Sequence, residues 1–299
     1  MVVLPVVYTG CKRGHHVPGI DLHRADGLWS DWTFPSKLLM TETKDKSGTA
    51  FNEFAMADLD DAIARAQSAL RTLDGGSLLL TGGTGFFGRW LLAVLARAIE
   101  TGTVDLAITV LTRSVARFAL VSPDLANYPS FRFVEGDVRY FEFPKGRFSH
   151  VIHAATDTNI EADRSPLKLI DTITEGTRRV LEFAVASGVD RVLIISSGAV
   201  YGALPPDLDA FTEDYSGACA TTDRQSSYGQ AKRLAEQLAT LYHHEFGLKT
   251  IIARPFAFVG PGMPLDGHFA IGNFIRDASR GKTIVVSGDG TPMRSYLYA

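Results

Sequence analysis

The chain has 299 residues, 45% hydrophobic and 21% charged, with a net charge of −3. This balance is ordinary for a globular protein and gives no basic footprint for nucleic acid, and no apolar run approaches the ~18 residues that a bilayer span requires. Cys11 and Cys219 are the only cysteines, too few for a disulfide framework or a thiolate metal site, so free thiols in a reducing cytoplasm are expected.

Residues 1–55 show no helical or strand period and carry scattered Gly, Pro, His and Trp, so an irregular extension is expected there. Its opening Val2-Val3-Leu4-Pro5 run makes a poor signal peptide. Met56 precedes Ala57-Asp58-Leu59-Asp60-Asp61, an acidic helix start that continues through Ile63, Ala66, Leu70 and Leu73 to Gly75-Gly76. On one reading the native protein begins near Met56. From Ser77 the pattern turns to strand–helix alternation. Strands are expected at Leu78–Leu80, Ile108–Leu111, Phe131–Val134, Val151–His153, Arg191–Ile195 and Thr250–Ala253. Helices are expected from Phe87 to about Ile99, Pro166 to about Ala186, and Tyr228 to Phe246. Continuous apolar strands alternating with helices predict an α/β fold with a doubly wound parallel sheet over residues 56–250.

Thr81-Gly82-Gly83-Thr84-Gly85-Phe86-Phe87-Gly88 follows the first of these strands and opens an apolar helix. Glycines at this spacing let the backbone turn sharply and approach a pyrophosphate, which the helix N-terminus attracts. A glycine triplet alone fits any strand–helix turn; the strand before and the helix after supply the context for dinucleotide binding. At the end of the second strand stands Thr112-Arg113-Ser114, where an NAD site usually has an acid for the ribose hydroxyl. Arg113 with Ser114 is able to pair with a 2′-phosphate instead, so NADP is preferred and NAD is the alternative; a solvated surface arginine is the plain reading. Asp137 and Val138 are placed to meet the adenine, and His153-Ala154-Ala155 to pass along the cofactor.

Tyr228 and Lys232 lie four residues apart, on one face of a helix. A neighbouring ammonium lowers a phenol's pKa, so Tyr228 is able to exchange a proton while a nicotinamide exchanges hydride, and Ser197 donates to the same oxygen. A lone Y-x-x-x-K has a structural explanation in helix packing; the Ser-bearing strand and the glycine turn upstream favour catalysis. His15-His16 and His243-His244 lack metal-ligand spacing, and no metal is expected.

With these motifs the chain resembles the extended short-chain dehydrogenase/reductases, the NAD(P)-dependent epimerase/dehydratase family, from about residue 77 onward. The resemblance is carried by the glycine turn, Ser196-Ser197-Gly198-Ala199-Val200-Tyr201-Gly202, Tyr228 with Lys232, Arg254-Pro255-Phe256-Ala257-Phe258-Val259-Gly260-Pro261-Gly262, and Gly288-Asp289-Gly290-Thr291-Pro292-Met293-Arg294-Ser295. It implies a Rossmann cofactor domain and a substrate lobe beginning near residue 251. It also implies catalytic roles for Ser197, Tyr228 and Lys232, cofactor contact near Pro255, substrate contact by Asn273 and Arg294, a nucleotide-sugar substrate and a homodimer.

Four departures qualify it. Gly198 and Ala199 stand where the family's dehydratases and decarboxylases carry a carboxylate, which favours an epimerase or ketoreductase. Ala257 replaces a common Asn, and Ile173 stands where a helix Asn often lies. Family members continue past Tyr296-Leu297-Tyr298-Ala299, so an incomplete substrate lobe is expected. A reductase of a non-sugar carbonyl and a non-catalytic dinucleotide sensor are the competing readings.

Overall fold

The computed structural model describes residues 2–4, 53–156, 165–267, 269–286 and 295–299. Six parallel strands form the centre of the sheet: β2 (Gly76–Thr81), β3 (Leu106–Thr112), β4 (Phe131–Glu135), β5 (His150–His153), β6 (Arg191–Ile195) and β7 (Lys249–Ala253). Around them in chain order come α1 (Met56–Leu73), α2 (Phe86–Glu100), α3 (Val115–Val121), α4 (Pro123–Ala126), α5 (Pro166–Ala186) and α6 (Ser227–Phe246). A short strand β1 (Val2–Leu4) pairs in parallel with β7 and completes the order β1-β7-β6-β5-β2-β3-β4. The doubly wound parallel sheet read from the alternation is therefore the fold. Apart from β1 and residues 53–55, the expected irregular extension lies outside the described residues, as do Cys11, His15-His16 and Arg294.

After β2 the chain winds outward through β3 and β4, then returns to the other side of β2 for β5, β6 and β7. The carboxyl ends of β2 and β5 flank this reversal, the place where open α/β sheets form a ligand crevice. Leu78, Leu79 and Leu80 are fully buried because helices cover both faces; alternate residues join different core clusters, Leu78 and Leu80 on one side and Leu79 on the other. Each such side chain contributes roughly 1.5–3 kcal/mol relative to exposure. Beyond the sheet, β8 (Ala257–Val259) pairs in parallel with β9 (Tyr296–Tyr298), and α7 (Ala270–Ser279) lies between them in sequence.

Residues 53–58 bind distant parts of the chain together. The Arg89 guanidinium, in the first turn of α2, is buried against the Glu53 carboxylate and donates to the Gly262 carbonyl at 2.6 Å. Trp90 packs edge-on against Phe54 and Tyr298, its indole N–H donating to Pro261, while the Tyr298 hydroxyl donates to Asp58 at 2.8 Å.

Within β5, His153 is 3% exposed, with Nδ1 2.8 Å from the Thr81 hydroxyl and Nε2 3.1 Å from that of Thr177. Burial, with a smaller push from the Lys232 charge, lowers its pKa to about 3. The unfolded chain takes up this proton below the ordinary value of 6.5 and the folded chain does not. Stability from His153 is thus fully present above pH 6.5 and drains away toward pH 3, at about 1.4 kcal/mol per pH unit in that window. Thermal melts of wild type and His153→Gln between pH 7 and 4 test this: the variant is expected to lose stability on acidification with a visibly shallower slope, and parallel slopes would refute it.

Candidate functional site

The glycine turn is built by close contact. Gly82 has φ +77°, a left-handed backbone, and a Cβ there would lie 2.5 Å from the Ala154 carbonyl. A Cβ on Gly88 would run into the Gly82 carbonyl oxygen and come within 2.5 Å of the Gly83 Cα. Strand, turn and helix can pass at this distance only without side chains. At the exposed Gly85, in contrast, a Cβ would meet nothing closer than the Gly82 oxygen at 3.5 Å. Gly85 is also the N-cap of α2, whose first turn has neither a side-chain cap nor an acidic residue. Its N–H groups are left for an anion, and the turn fits a dinucleotide pyrophosphate. Thr84 lies 3.4 Å from the Thr112 hydroxyl, and Phe87 stacks on Phe258 at 5.0 Å.

At the end of β3, Arg113 is exposed and Ser114 caps α3 by accepting from the Arg117 N–H at 3.2 Å. Glu135 accepts from the Val115 N–H at 2.7 Å. Asp137 is held below the usual carboxylate range, first by hydrogen bonds from Arg139 and in smallest part by the Arg113 charge. Val138 is buried under Gly176 of α5, where a Cβ would come within 2.8 Å of it. Ala154 and Ala155 N–H groups donate back to Thr81. His153 points into the core, as described, so only its backbone is available to a cofactor.

Ser197, Tyr228 and Lys232 come together. Ser197 lies two residues past β6, capping the turn that follows by accepting from the Ala199 N–H at 3.2 Å, while Tyr228 and Lys232 lie one turn apart on α6. Burial raises the Tyr228 phenol, and a hydrogen bond with Ser197 pulls it back down. Lys232 is 4% exposed; its Nζ donates to the Thr156 hydroxyl at 2.7 Å and the Ile195 carbonyl at 2.8 Å, and sits 5.9 Å from the Tyr228 ring centre. Burial lowers the Lys232 pKa to about 8, with the Glu236 charge opposing. Pro255 accepts from the Gly198 N–H at 2.8 Å, fixing the end of β7 against the Ser197 turn. The Phe256 ring covers Gly198 so closely that a Cβ there would lie 2.6 Å from it.

Ile173 is buried with Leu169, Ala231 and Ala235, and Tyr228 packs on this apolar group. Asn273 lies on α7 and its Oδ1 accepts from Arg276 of the same helix at 3.1 Å. His243 hydrogen-bonds the Leu248 carbonyl at 2.9 Å, a structural bond closing α6. Among the described residues no group of His, Cys, Asp or Glu could hold a metal ion, and no helix is long and apolar enough to cross a membrane. Two participants were not named from sequence. Thr156 lies 76 residues from Lys232, and only the sheet brings them together. Glu236 carried a usable signal, its place one turn beyond Lys232 on the same helix.

The sequence model of the NAD dependent epimerase/dehydratase family matches residues 78–299. UDP-glucuronic acid decarboxylase 6 of Arabidopsis thaliana is 32% identical over 222 residues, covering 74% of this chain and 62% of that protein, so the chain spans less than two thirds of that relative. The DesIV dTDP-glucose 4,6-dehydratase of Streptomyces venezuelae, solved with NAD and TYD bound, superposes with a TM-score of 0.62 at 27% identity over 74% of this chain and 68% of that one. The UDP-N-acetylglucosamine 4-epimerase of Methanobrevibacter ruminantium M1 shares the fold, with a TM-score of 0.62 at 22% identity over 75% and 69% of the two chains.

The turn geometry separates two substitutions. Gly88→Ala forces backbone apart and is expected to lower the melting temperature by several degrees, whereas Gly85→Ala leaves it nearly unchanged. Gly85→Ala nonetheless crowds the free N–H groups and is expected to weaken dinucleotide binding about tenfold or more in a fluorescence titration. Unchanged affinity in Gly85→Ala would place the pyrophosphate elsewhere.

Proposed function

The chain belongs to the NAD-dependent epimerase/dehydratase family, and from that premise we propose that it transfers hydride at a carbon of a nucleotide-diphosphate sugar, with Tyr228 as acid/base. The convergence of Ser197, Tyr228 and Lys232 on the sheet end that carries the glycine turn supports this reading best. When bound, the nicotinamide dinucleotide supplies the hydride donor and acceptor. Residues 82–88 would hold its pyrophosphate, Thr112, Arg113 and Ser114 its adenosine ribose, Asp137 and Val138 its adenine, and Ala154, Ala155 and Pro255 its path toward Tyr228. Ser197 hydrogen-bonds the reacting sugar oxygen and Tyr228 takes or returns its proton. Burial works against phenolate and the Ser197 hydrogen bond favours it; in this reading the cation of Lys232, one helical turn away, adds to the second effect. Asn273 and Arg294 are assigned to the nucleotide diphosphate, where an arginine fork suits phosphate oxygens.

Gly198 and Ala199 put no carboxylate directly after Ser197, and Phe256 fills the space over Gly198. The chemistry therefore stops at hydride and Tyr228 proton transfer, which suits a 4-epimerase or a ketoreductase rather than a 4,6-dehydratase. NADP is the preferred cofactor. Glu135 already occupies the N-terminus of α3, so this preference rests on Arg113, with the Ser114 hydroxyl proton as a second donor.

Two measurements test the proposal. Titration of the chain with NADPH and NADH, followed by nicotinamide fluorescence, is expected to show tighter NADPH binding. Arg113→Ala should erase that preference, weakening NADPH by about 10- to 100-fold and NADH little; equal losses for both, or tighter NADH, would sink the NADP assignment. Tyr228→Phe is expected to abolish turnover of a nucleotide sugar while leaving dinucleotide binding within a few-fold. Turnover that survives removes Tyr228 from the mechanism.

A further inference from the structure

Behind the proton-transfer pair lies a second, buried polar knot. Glu236 follows Lys232 by one turn of α6 and is 9% exposed. Its carboxylate receives the Ser196 hydroxyl at 2.5 Å and both arms of the Arg254 fork, Nε at 2.9 Å and Nη2 at 2.7 Å. Arg254 also donates to the Tyr201 hydroxyl and the Glu213 carbonyl, each at 3.0 Å, with its guanidinium over the Tyr201 ring. The knot thus ties three chain segments, each adjoining a residue of the site: Ser196 before Ser197, Glu236 after Lys232, and Arg254 before Pro255, which clasps Gly198. A buried ion pair adds little net stability, because desolvation offsets its attraction, and packed apolar side chains would serve that purpose as well. What apolar side chains cannot supply is a negative charge near Lys232 together with an acceptor for Ser196.

We propose that Glu236 is a positioning residue, its carboxylate acting as the buried counter-charge for Lys232 and as the anchor that sets the Ser196-Ser197 strand end against α6. This rests on the reading of Tyr228 and Lys232 as the proton-transfer pair. The charged and titratable groups around Lys232 are His153 from β5, held neutral, Tyr228 and Glu236 from α6, and, behind Glu236, Arg254 from the end of β7. Burial pushes Lys232 toward its neutral form and the Glu236 charge opposes that push. Removing the carboxylate alone leaves Arg254 as an uncompensated cation and drives Lys232 further toward the amine.

The test follows Lys232 directly, by NMR titration of the full chain carrying labelled lysine, with the signal assigned by its loss in Lys232→Met. Glu236→Gln is expected to lower the Lys232 midpoint by about one pH unit. The double variant Glu236→Gln with Arg254→Met removes both charges and is expected to return the midpoint toward wild type, as is Glu236→Asp, which keeps the charge. In turnover assays the alkaline limb of the pH profile should move with the midpoint. An unmoved midpoint in folded Glu236→Gln overturns the proposal. So does a double variant displaced from wild type as far as the single one, since the effect would then follow packing rather than charge. Should Glu236→Gln fail to fold, Arg254→Met alone decides: it removes the cation behind an intact Glu236 and is expected to raise the Lys232 midpoint, and an unmoved midpoint overturns the proposal. Failure of the underlying reading has a different signature: turnover survives Tyr228→Phe whatever the Lys232 titration does.

Discussion

The architecture depends on the absence of side chains where β2 turns into α2. Gly82 lies against the Ala154 carbonyl, and Gly88 against Gly82 and Gly83, at separations that no methyl group fits. This contact sets the height at which α2 leaves the sheet and brings the ends of β2 and β5 together at the reversal of strand order. The other site segments are then fixed by register. β6 pairs with β5, which carries the Ser197 turn to the same edge, and β7 pairs with β6, which brings Pro255 against Gly198.

Polar groups in the interior follow a consistent division. His153 is satisfied as a neutral ring between two threonines, so its burial costs little near neutral pH. Lys232 is satisfied as a donor to Thr156 and Ile195 and retains a carboxylate nearby. Glu236 and Arg254 satisfy each other and reach outward to Ser196 and Tyr201. Every buried side-chain polar atom among the described residues has a partner. The first turn of α2 stands apart from this pattern, with neither a side-chain cap nor an acidic residue to meet its backbone donors.

Much of the fold was legible because parallel strands covered on both faces must be continuously apolar. Leu78–Leu80, Arg191–Ile195 and Thr250–Ala253 read as strands for that reason, and the helix over Pro166–Ala186 was bounded by proline at its start. The strands β8 and β9 went unread because three half-buried or exposed residues carry no period. At the site, residues joined by a local rule were visible: the glycines by spacing, Tyr228 and Lys232 by one helical turn. Thr156 was not, since its contact with Lys232 exists only once β5 and β6 are in register. From the four-residue spacing the ammonium was read as a neighbour of the phenol. The structure gives the ammonium nearer acceptors in Thr156 and Ile195.

The braces around Arg89 and Trp90 also bear on how the chain is made. Glu53, Phe54 and Asp58 close onto Gly262 and Tyr298, and the bond from Tyr298 to Asp58 spans 240 residues. At a synthesis rate of about 5–20 residues per second, α1 therefore waits some tens of seconds on the ribosome before its last partner exists. During that interval the sheet centre can assemble from neighbouring strands, while Phe54 and Trp90 lack their final aromatic cover. The aromatic group around Trp90 is thus a late-closing contact, completed by Tyr298 only after the sheet strands it adjoins have been made.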